Sequence, residues 1–144
     1  MSDAPRSPGG ATRPPAVAGT FYPAEPERLS SLVATLLAGW IATELGAETP
    51  WHVSRFFPTY RLTDLDPTPV ATIQRAVAIG RAAGLRHVYS GNVADADEDT
   101  RCAGCGETLI RRQGFRSVRA ALVGGRCARC GHSLAGVGLD EWVE

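Results

Sequence analysis

RCAGCGETLI, residues 101–110, and its near copy RCARCGHSLA, residues 126–135, each place two cysteines three positions apart, with a glycine after the second. The combined spacing, C-x2-C-x21-C-x2-C, is close to that of paired CxxC zinc sites. Four thiolates complete a tetrahedral shell and leave no open position, so the spacing predicts a structural metal rather than a catalytic one. The predicted ligands are Cys102, Cys105, Cys127 and Cys130.

The segment between the two cysteine pairs is typical of a zinc ribbon. Its sequence, ETLIRRQGFRSVRAALVGG, favours strands that turn at Gln113-Gly114 and at Gly124-Gly125 and bring the pairs together. A bound zinc would contribute on the order of 10 kcal/mol to the folding of so small a module. A single iron in the same cage, as in rubredoxin-type carriers, is an alternative, because thiolates distinguish the two metals weakly. Two disulfides, free thiols, and His132 as a substitute ligand are further alternatives.

Length and composition restrict the class of protein. The 144 residues suffice for one domain, or for a small domain with a satellite module. With 44% hydrophobic and 21% charged residues, the composition is that of a globular chain. No apolar run has the length of a membrane helix, and the first ten residues lack the features of a secretory signal. Cysteines in CxxC pairs without an export signal predict a reducing, cytoplasmic location.

The positive charge is concentrated around the cysteines. All 15 basic residues are arginines, which excludes a lysine Schiff base or a P-loop lysine. Residues 1–100 carry 8 Arg and 11 acids, whereas residues 101–144 carry 7 Arg and 4 acids. Arginines flanking an aromatic ring can bind a nucleic acid, although a solvated arginine face is the simpler interpretation. The residues concerned are Arg111, Arg112, Arg116 and Arg119, around Phe115.

Residues 13–94 show an alternation of helix and strand patterns, after a Pro- and Gly-rich stretch, residues 1–12, that indicates a flexible leader. A helix with one apolar stripe is predicted from Pro26 to Gly46. Residues 50–57 predict a strand of about seven residues, Thr68 to Gly84 a helix, and residues 86–90 a second strand. This order predicts a parallel, right-handed βαβ unit. The stripe comprises Leu29, Leu32, Val33, Leu36, Leu37, Trp40, Ile41 and Leu45.

The acidic loop DADEDT, residues 95–100, superficially matches a calcium loop because Asp95, Asp97 and Asp99 alternate. An EF-hand requires glycine at the sixth position and glutamate at the twelfth, where this chain has Thr100 and Gly106. A solvated acidic linker is therefore favoured.

Several of these stretches resemble one known family. They are PWHVSRFFPTYRLTD, TPVATIQRAVAIGRAAGL, RHVYSGNV, TRCAGCGETLIRRQGF and GGRCARCG. In unbroken order from Gly39 to Gly138, they resemble the C-terminal part of the AmmeMemoRadiSam system radical SAM enzyme, a relative of pyruvate formate-lyase activating enzymes. The preceding stretch, RPPAVAGTFYPAEPERLSSLV, is similar to the start of Memo-family proteins.

The resemblance implies an α/β fold, in which a fragment of a radical SAM-type (βα) barrel precedes a four-cysteine zinc ribbon. It implies a Memo-like segment at 13–38, a C-terminal barrel fragment at 39–94, and an acidic linker with the ribbon at 95–144. In the barrel fragment, His52, Arg55 and Tyr60 are candidates for the side that faces S-adenosylmethionine and substrate. Strand alternation would separate His52 from Arg55, so a merely structural role for each is the simpler expectation.

The resemblance also limits the expected activity. Radical SAM enzymes hold a [4Fe-4S] cluster through a CxxxCxxC loop, and no C-x3-C-x2-C occurs in this chain. The cluster and S-adenosylmethionine are therefore expected only together with the missing barrel, and the chain is not expected to be catalytic alone. Implied partners are Memo-like and AMMECR-type proteins of the same system, or a barrel supplied in trans. The alternative function is an autonomous zinc ribbon that binds nucleic acid or a partner protein.

Overall fold

The computed structural model describes residues 19–20, 23–61, 63–94, 96, 98–113 and 116–139. Its elements form a mixed α/β fold, which confirms the predicted class at this level. The leader, residues 13–18 and 21–22 of the Memo-like segment, and Asp95 and Asp97 of the acidic loop lie outside the described residues. The elements are α1 (Pro26–Trp40), β1 (Trp51–Ser54), α2 (Val70–Ala82), β2 (Val88–Gly91), β3 (Thr100–Arg101), β4 (Thr108–Gln113), β5 (Arg116–Arg119), β6 (Leu122–Val123) and β7 (Arg126–Cys127).

Helix α1 has the predicted bounds, but Ile41 is the one residue of the predicted stripe that is buried. The helix begins at Pro26 and continues through a wider π-helical turn, Ile41–Leu45, to Gly46, whose φ of 95° ends it. Its buried residues are the small Ala34 and Ala38, because α1 lies against α2 and small side chains permit a close approach of two helices. The large apolar side chains remain exposed, and they are Leu32, Val33, Leu36, Leu37 and Trp40.

The predicted order and parallel pairing of the βαβ unit are confirmed. β1 and β2 pair in parallel, with Trp51 opposite Val88 and Ser54 opposite Gly91, and α2 connects them. Each strand has four residues, which is shorter than the predicted seven. Pairing ends because the chain leaves the extended conformation at Asn92, whose φ is 59°. The Asn92 side chain donates a hydrogen bond to the carbonyl oxygen of Arg55 at 3.2 Å and closes this end of the sheet.

Trp51 packs against Gly80 of α2, and this contact fixes the sheet on the helix. A Cβ at position 80 would lie 2.7 Å from the Trp51 ring and 3.1 Å from Cγ2 of Val88. A glycine in a helix interior ordinarily costs about 1 kcal/mol relative to alanine. Here the absence of a side chain is what allows the indole to approach the helix backbone.

Gly80→Ala is expected to destabilise the chain by about 1–3 kcal/mol, because overpacking outweighs the gain in helix propensity. Denaturant unfolding of the purified chain measures the change. Trp51→Leu should remove most of the penalty, so the two substitutions should be strongly non-additive. Equal effects of Gly80→Ala in both backgrounds would contradict the assigned contact.

The cysteine-bearing part consists of short antiparallel strands. One sheet has the order β3-β4-β5, and β6 pairs with β7 through a turn at Gly124 and Gly125, both at positive φ, as predicted. In the hairpin of β4 and β5, Gln113 lies opposite Arg116. Gly114 of the predicted Gln113-Gly114 turn is outside the described residues. The core of this part comprises Cys102, Leu109, Ile110, Leu122 and Cys127.

The two parts of the chain meet at Tyr89. Val88 contacts Gly80 of α2, so strand alternation places Tyr89 on the other side of the sheet, where its hydroxyl lies 2.8 Å from Oγ1 of Thr100 in β3. The Arg112 guanidinium lies over the Tyr89 ring at 5.1 Å, and it donates hydrogen bonds to Thr100 Oγ1 at 2.7 Å and to the Glu98 carbonyl at 3.0 Å. These contacts attach the cysteine-bearing sheet to the βαβ unit. Among the described helices, none is long and apolar enough to cross a membrane.

Candidate metal centre

The two CxxC sequences fold into the same local structure. In the first, the N–H of Gly106 donates to the carbonyl of Cys102 at 2.9 Å, and in the second the N–H of Gly131 donates to the carbonyl of Cys127 at 2.8 Å. Both glycines have a φ near 75°, a conformation that favours glycine over other residues. The repeated sequence therefore produces two equivalent turns, each of which presents two sulfurs on one side.

The four sulfurs converge on a single point. All lie within 4.8 Å of one another, with 3.5 Å between Cys102 and Cys130 and 3.7 Å between Cys105 and Cys127. A tetrahedral zinc with Zn–S bonds of about 2.3 Å requires sulfurs about 3.8 Å apart. The donor set and the spacing thus fit one tetrahedral metal ion such as zinc, and they also accommodate iron. The four cysteines are positioned to bind a metal ion.

The ionisation of the thiols favours a bound cation. Burial disfavours the Cys102 thiolate, but the N–H groups of Cys105 and Gly104 and the neighbouring sulfurs lower the pKa of Cys102 to about 7. The Glu107 N–H favours the Cys105 thiolate, yet burial and the other three sulfurs raise the pKa of Cys105 to about 12. One thiolate forms readily, and further negative charge is opposed by its neighbours. A bound divalent cation would remove that opposition.

Zinc affinity is expected to decrease as the pH is lowered, because zinc must displace the thiol protons. Below about pH 7, where Cys102 itself becomes protonated, the apparent dissociation constant should rise at least about tenfold per pH unit. The stability conferred by the metal is therefore present at neutral pH and lost on acidification. Competition with a chromophoric chelator, corrected for the chelator's own protonation, measures this. A pH-independent affinity would exclude thiolate ligation.

His132 lies beside the site without joining the ligand group. Its side chain packs against Gly104, where a Cβ would meet the imidazole Cγ at 3.3 Å. Within the described residues, the cluster of potential metal ligands contains the four cysteines alone. Gly104 is therefore suited to the contact with His132, and the histidine covers the first CxxC turn.

The three barrel candidates do not share a surface. His52 is exposed and stacks on Tyr89, with ring centroids 4.9 Å apart. Arg55 lies on the other side of the strand, where its Nε donates to the Thr68 carbonyl at 2.6 Å. Tyr60 lies in the loop after β1 and is 85% exposed. Their proposed role in binding a cofactor stays a prediction that would require further polypeptide to complete a site.

The arginine cluster of the sequence is divided by the β4–β5 hairpin. Arg111 and Arg116 are exposed, and neither has an acidic partner among the described residues. Arg112 is engaged with Tyr89, Thr100 and Glu98, so it supports the fold. Phe115 lies outside the described residues. Of the acidic loop, Asp99 accepts a hydrogen bond from the Arg112 N–H at 2.8 Å.

Tyr89 and Thr100 are structurally important residues that the sequence patterns did not indicate. A tyrosine in a short strand and a threonine after an acidic loop each fit many environments. Only the folded chain brings the hydroxyls of these residues together, and the chemical signal for such a pair is too general to find in advance.

Comparison with known proteins gives one relative of uncharacterized function. Over 98 residues the chain is 41% identical to the uncharacterized protein MJ0808 of Methanocaldococcus jannaschii. The aligned region covers 66% of this chain and 29% of that protein. The chain thus spans less than a third of this relative's length. No family model matches the chain. No solved structure matches it.

Proposed function

We propose that this chain is the metal-binding C-terminal portion of a radical SAM, activase-like protein of the AmmeMemoRadiSam system, and that its metal is a structural zinc. The observation that carries the proposal is the convergence of four cysteine sulfurs, all within 4.8 Å of one another. Four sulfur ligands leave no coordination position for substrate, so such a centre stabilises a fold and performs no chemistry of its own.

The surroundings of the sulfurs support a structural role. Cys102 and Cys127 are almost fully buried and belong to the same apolar core as Leu109 and Leu122. This part of the chain has few other core residues, and small modules with such limited cores commonly depend on a metal. The zinc would therefore connect two turns whose own packing is insufficient to keep them together.

The attribution to a larger protein rests on three observations. The motifs from Gly39 to Gly138 resemble the C-terminal part of the radical SAM enzyme, and the chain lacks a CxxxCxxC cluster motif. Within the part of the chain that the structure describes, the parallel sheet has two strands, whereas parallel sheets usually need further strands and helices around them. The relative from M. jannaschii is more than three times as long as the matched region. Memo-like or AMMECR-type proteins, or a barrel in trans, are the proposed partners.

Metal analysis and spectroscopy test this proposal together. The purified chain is expected to contain one zinc per molecule and to be colourless, whereas an iron centre with four thiolates absorbs visible light. After reconstitution with iron and sulfide, addition of S-adenosylmethionine should produce no new EPR signal. A cluster signal that responds to S-adenosylmethionine would contradict the claim that this chain has no catalytic cluster of its own. A chain that binds no metal would contradict the proposed metal-binding role of the four cysteines.

A second candidate function, binding of nucleic acid, is favoured by the two exposed arginines of the β4–β5 hairpin. Arg111 and Arg116 project from a hairpin that also exposes Val118, and cations beside apolar surface can contact phosphates and bases. Arg111→Ala/Arg116→Ala should weaken binding to a mixed-sequence oligonucleotide about tenfold at low salt. Arg61→Ala/Arg81→Ala removes the same charge elsewhere and is the control. Absence of binding at low salt would eliminate this function.

A further inference from the structure

A small cavity lies where the last turn of α2, the start of β2 and the start of β3 meet. Its volume is about 210 Å³, which is below the range of about 300–1,000 Å³ that is usual for the sites of larger organic ligands. It therefore suits a small ion. We call it the junction cavity, and its charged and titratable lining residues are Arg81, Arg86, His87, Asp99 and Arg101.

A buried backbone donor lines the junction cavity at Val88. The Trp51 N–H donates to the His87 carbonyl at 2.8 Å, and the next such bond to β2 beyond Tyr89 goes to the Gly91 carbonyl. Since alternate residues of β2 pair with β1, the Val88 N–H points to the other edge of β2, where no described strand pairs with it. Val88 is 5% exposed, and no described residue accepts a hydrogen bond from its N–H. A buried N–H of this kind favours a ligand with an acceptor atom.

The arginines supply positive charge from three separate segments. The Arg81 guanidinium makes no hydrogen bond or ion pair within the described residues. Arg86 is paired with Glu48, and Arg101 donates to Thr108 Oγ1 at 3.2 Å. A guanidinium has five N–H donors, so both side chains can keep these contacts and still donate to an anion.

We propose that the junction cavity binds a phosphate group. Guanidinium groups that approach from several directions fit an anion with several oxygens, and their hydrogen bonds to it are charge-assisted. The ligand is free phosphate or the terminal phosphate of a small molecule. The internal phosphates of a nucleic acid are joined on both sides, so a cavity of this size excludes them.

Asp99 determines which anion is accepted. A carboxylate repels an anion that has no proton, such as sulfate, but it can accept the proton that free phosphate retains at neutral pH. Asp99 already accepts a hydrogen bond from the Arg112 N–H at 2.8 Å, and a carboxylate offers about four acceptor positions. The proposal therefore predicts a preference for phosphate over sulfate.

A phosphate at this place would contact α2, β2 and β3 together, and so connect the βαβ unit with the cysteine-bearing part. None of the four cysteines lines the junction cavity, and the inference does not depend on the proposed function. A chain that binds zinc and no phosphate would overturn this inference alone, and a chain that binds phosphate and no metal would overturn the metal assignment alone.

Calorimetric titration of the full purified chain, in buffer free of unbound zinc, tests the proposal. Phosphate should bind with a dissociation constant below about 1 mM. Arg81→Gln should raise this constant at least about tenfold, because a charge-assisted bond is lost. Arg61→Gln, which removes an equally exposed guanidinium far from the cavity, is the control and should bind as the wild-type chain does. Circular dichroism should be the same for all three.

The same titration with glycerol phosphate and with sulfate defines the ligand. Tighter binding of phosphate or of glycerol phosphate identifies the free ion or a phosphorylated molecule as the source. Asp99→Asn should bind phosphate and sulfate alike, and the amide proton resonance of Val88 should move downfield when phosphate binds the wild-type chain. Absence of binding by both phosphate compounds at about 10 mM, equal effects of Arg81→Gln and Arg61→Gln, or an unchanged Val88 resonance would each overturn the site. Equal binding of sulfate by the wild-type chain would overturn the role of Asp99.

Discussion

Replacing Cys127 by serine is expected to abolish tight zinc binding and to unfold the part of the chain from Thr100 to Leu139. Cys127 is both a predicted ligand and a core residue, 2% exposed, so the substitution removes a thiolate and places a hydroxyl among apolar side chains. Structural zinc binding contributes on the order of 10 kcal/mol to the free energy of folding. The packing of so small an apolar cluster cannot supply that amount when the metal is lost. Zinc content per chain and amide hydrogen exchange measure the two effects.

The matched control is His132→Ala, which alters a neighbour of the first CxxC turn and removes no sulfur. This variant should retain one zinc per chain and the protection of β4 from exchange. If Cys127→Ser keeps full zinc content, or if His132→Ala loses the metal, the ligand assignment is wrong. Because α2 and β2 lie outside the cysteine-bearing part, their exchange should change much less in either variant.

Leu122→Ala is expected to destabilise the zinc-loaded chain by about 2–5 kcal/mol, the usual range for truncating a buried leucine. Leu122 is 1% exposed and lies in the core with Leu109, Cys102 and Cys127. The cavity left by the substitution would lie beside the sulfurs, so zinc affinity should fall as well. Denaturant unfolding and chelator competition measure stability and affinity separately.

The control lies at the next position. Val123 occupies the same two-residue strand, but its side chain points to solvent and is 68% exposed. Val123→Ala should change stability by no more than about 0.5 kcal/mol. Equal effects of the two substitutions would mean that β6 does not face the core as described.

The elements with strong local signals could be predicted from the sequence. Proline at the start and glycine at the end defined α1, and the succession of strand, helix and strand gave the parallel βαβ unit. The repeated CxxCG sequence identified the four cysteines that are positioned to bind a metal ion and the turns that present them. Each of these signals depends on neighbours close in sequence, which is why the sequence alone contains it.

The surfaces that the elements use could not be predicted in the same way. The leucine stripe of α1 indicated a buried face, but the helix packs through Ala34 and Ala38 because it approaches α2 closely. Arg112 appeared to belong to an exposed basic patch, yet it is held between Tyr89 and Thr100. Both outcomes depend on contacts between segments far apart in the chain.

The sequence by itself determined the candidate ligand set, because four cysteines in two short repeats require no knowledge of distant parts of the chain to be recognised. It also determined the order and the parallel direction of the βαβ unit, since a strand that returns to the same sheet after a crossover helix pairs in parallel with the first. Only the tertiary structure decided that the sulfurs lie within 4.8 Å of one another and that α1 leaves its largest side chains uncovered. The reason is physical: a ligand is specified by its chemistry, whereas a buried or exposed face is specified by what packs against it.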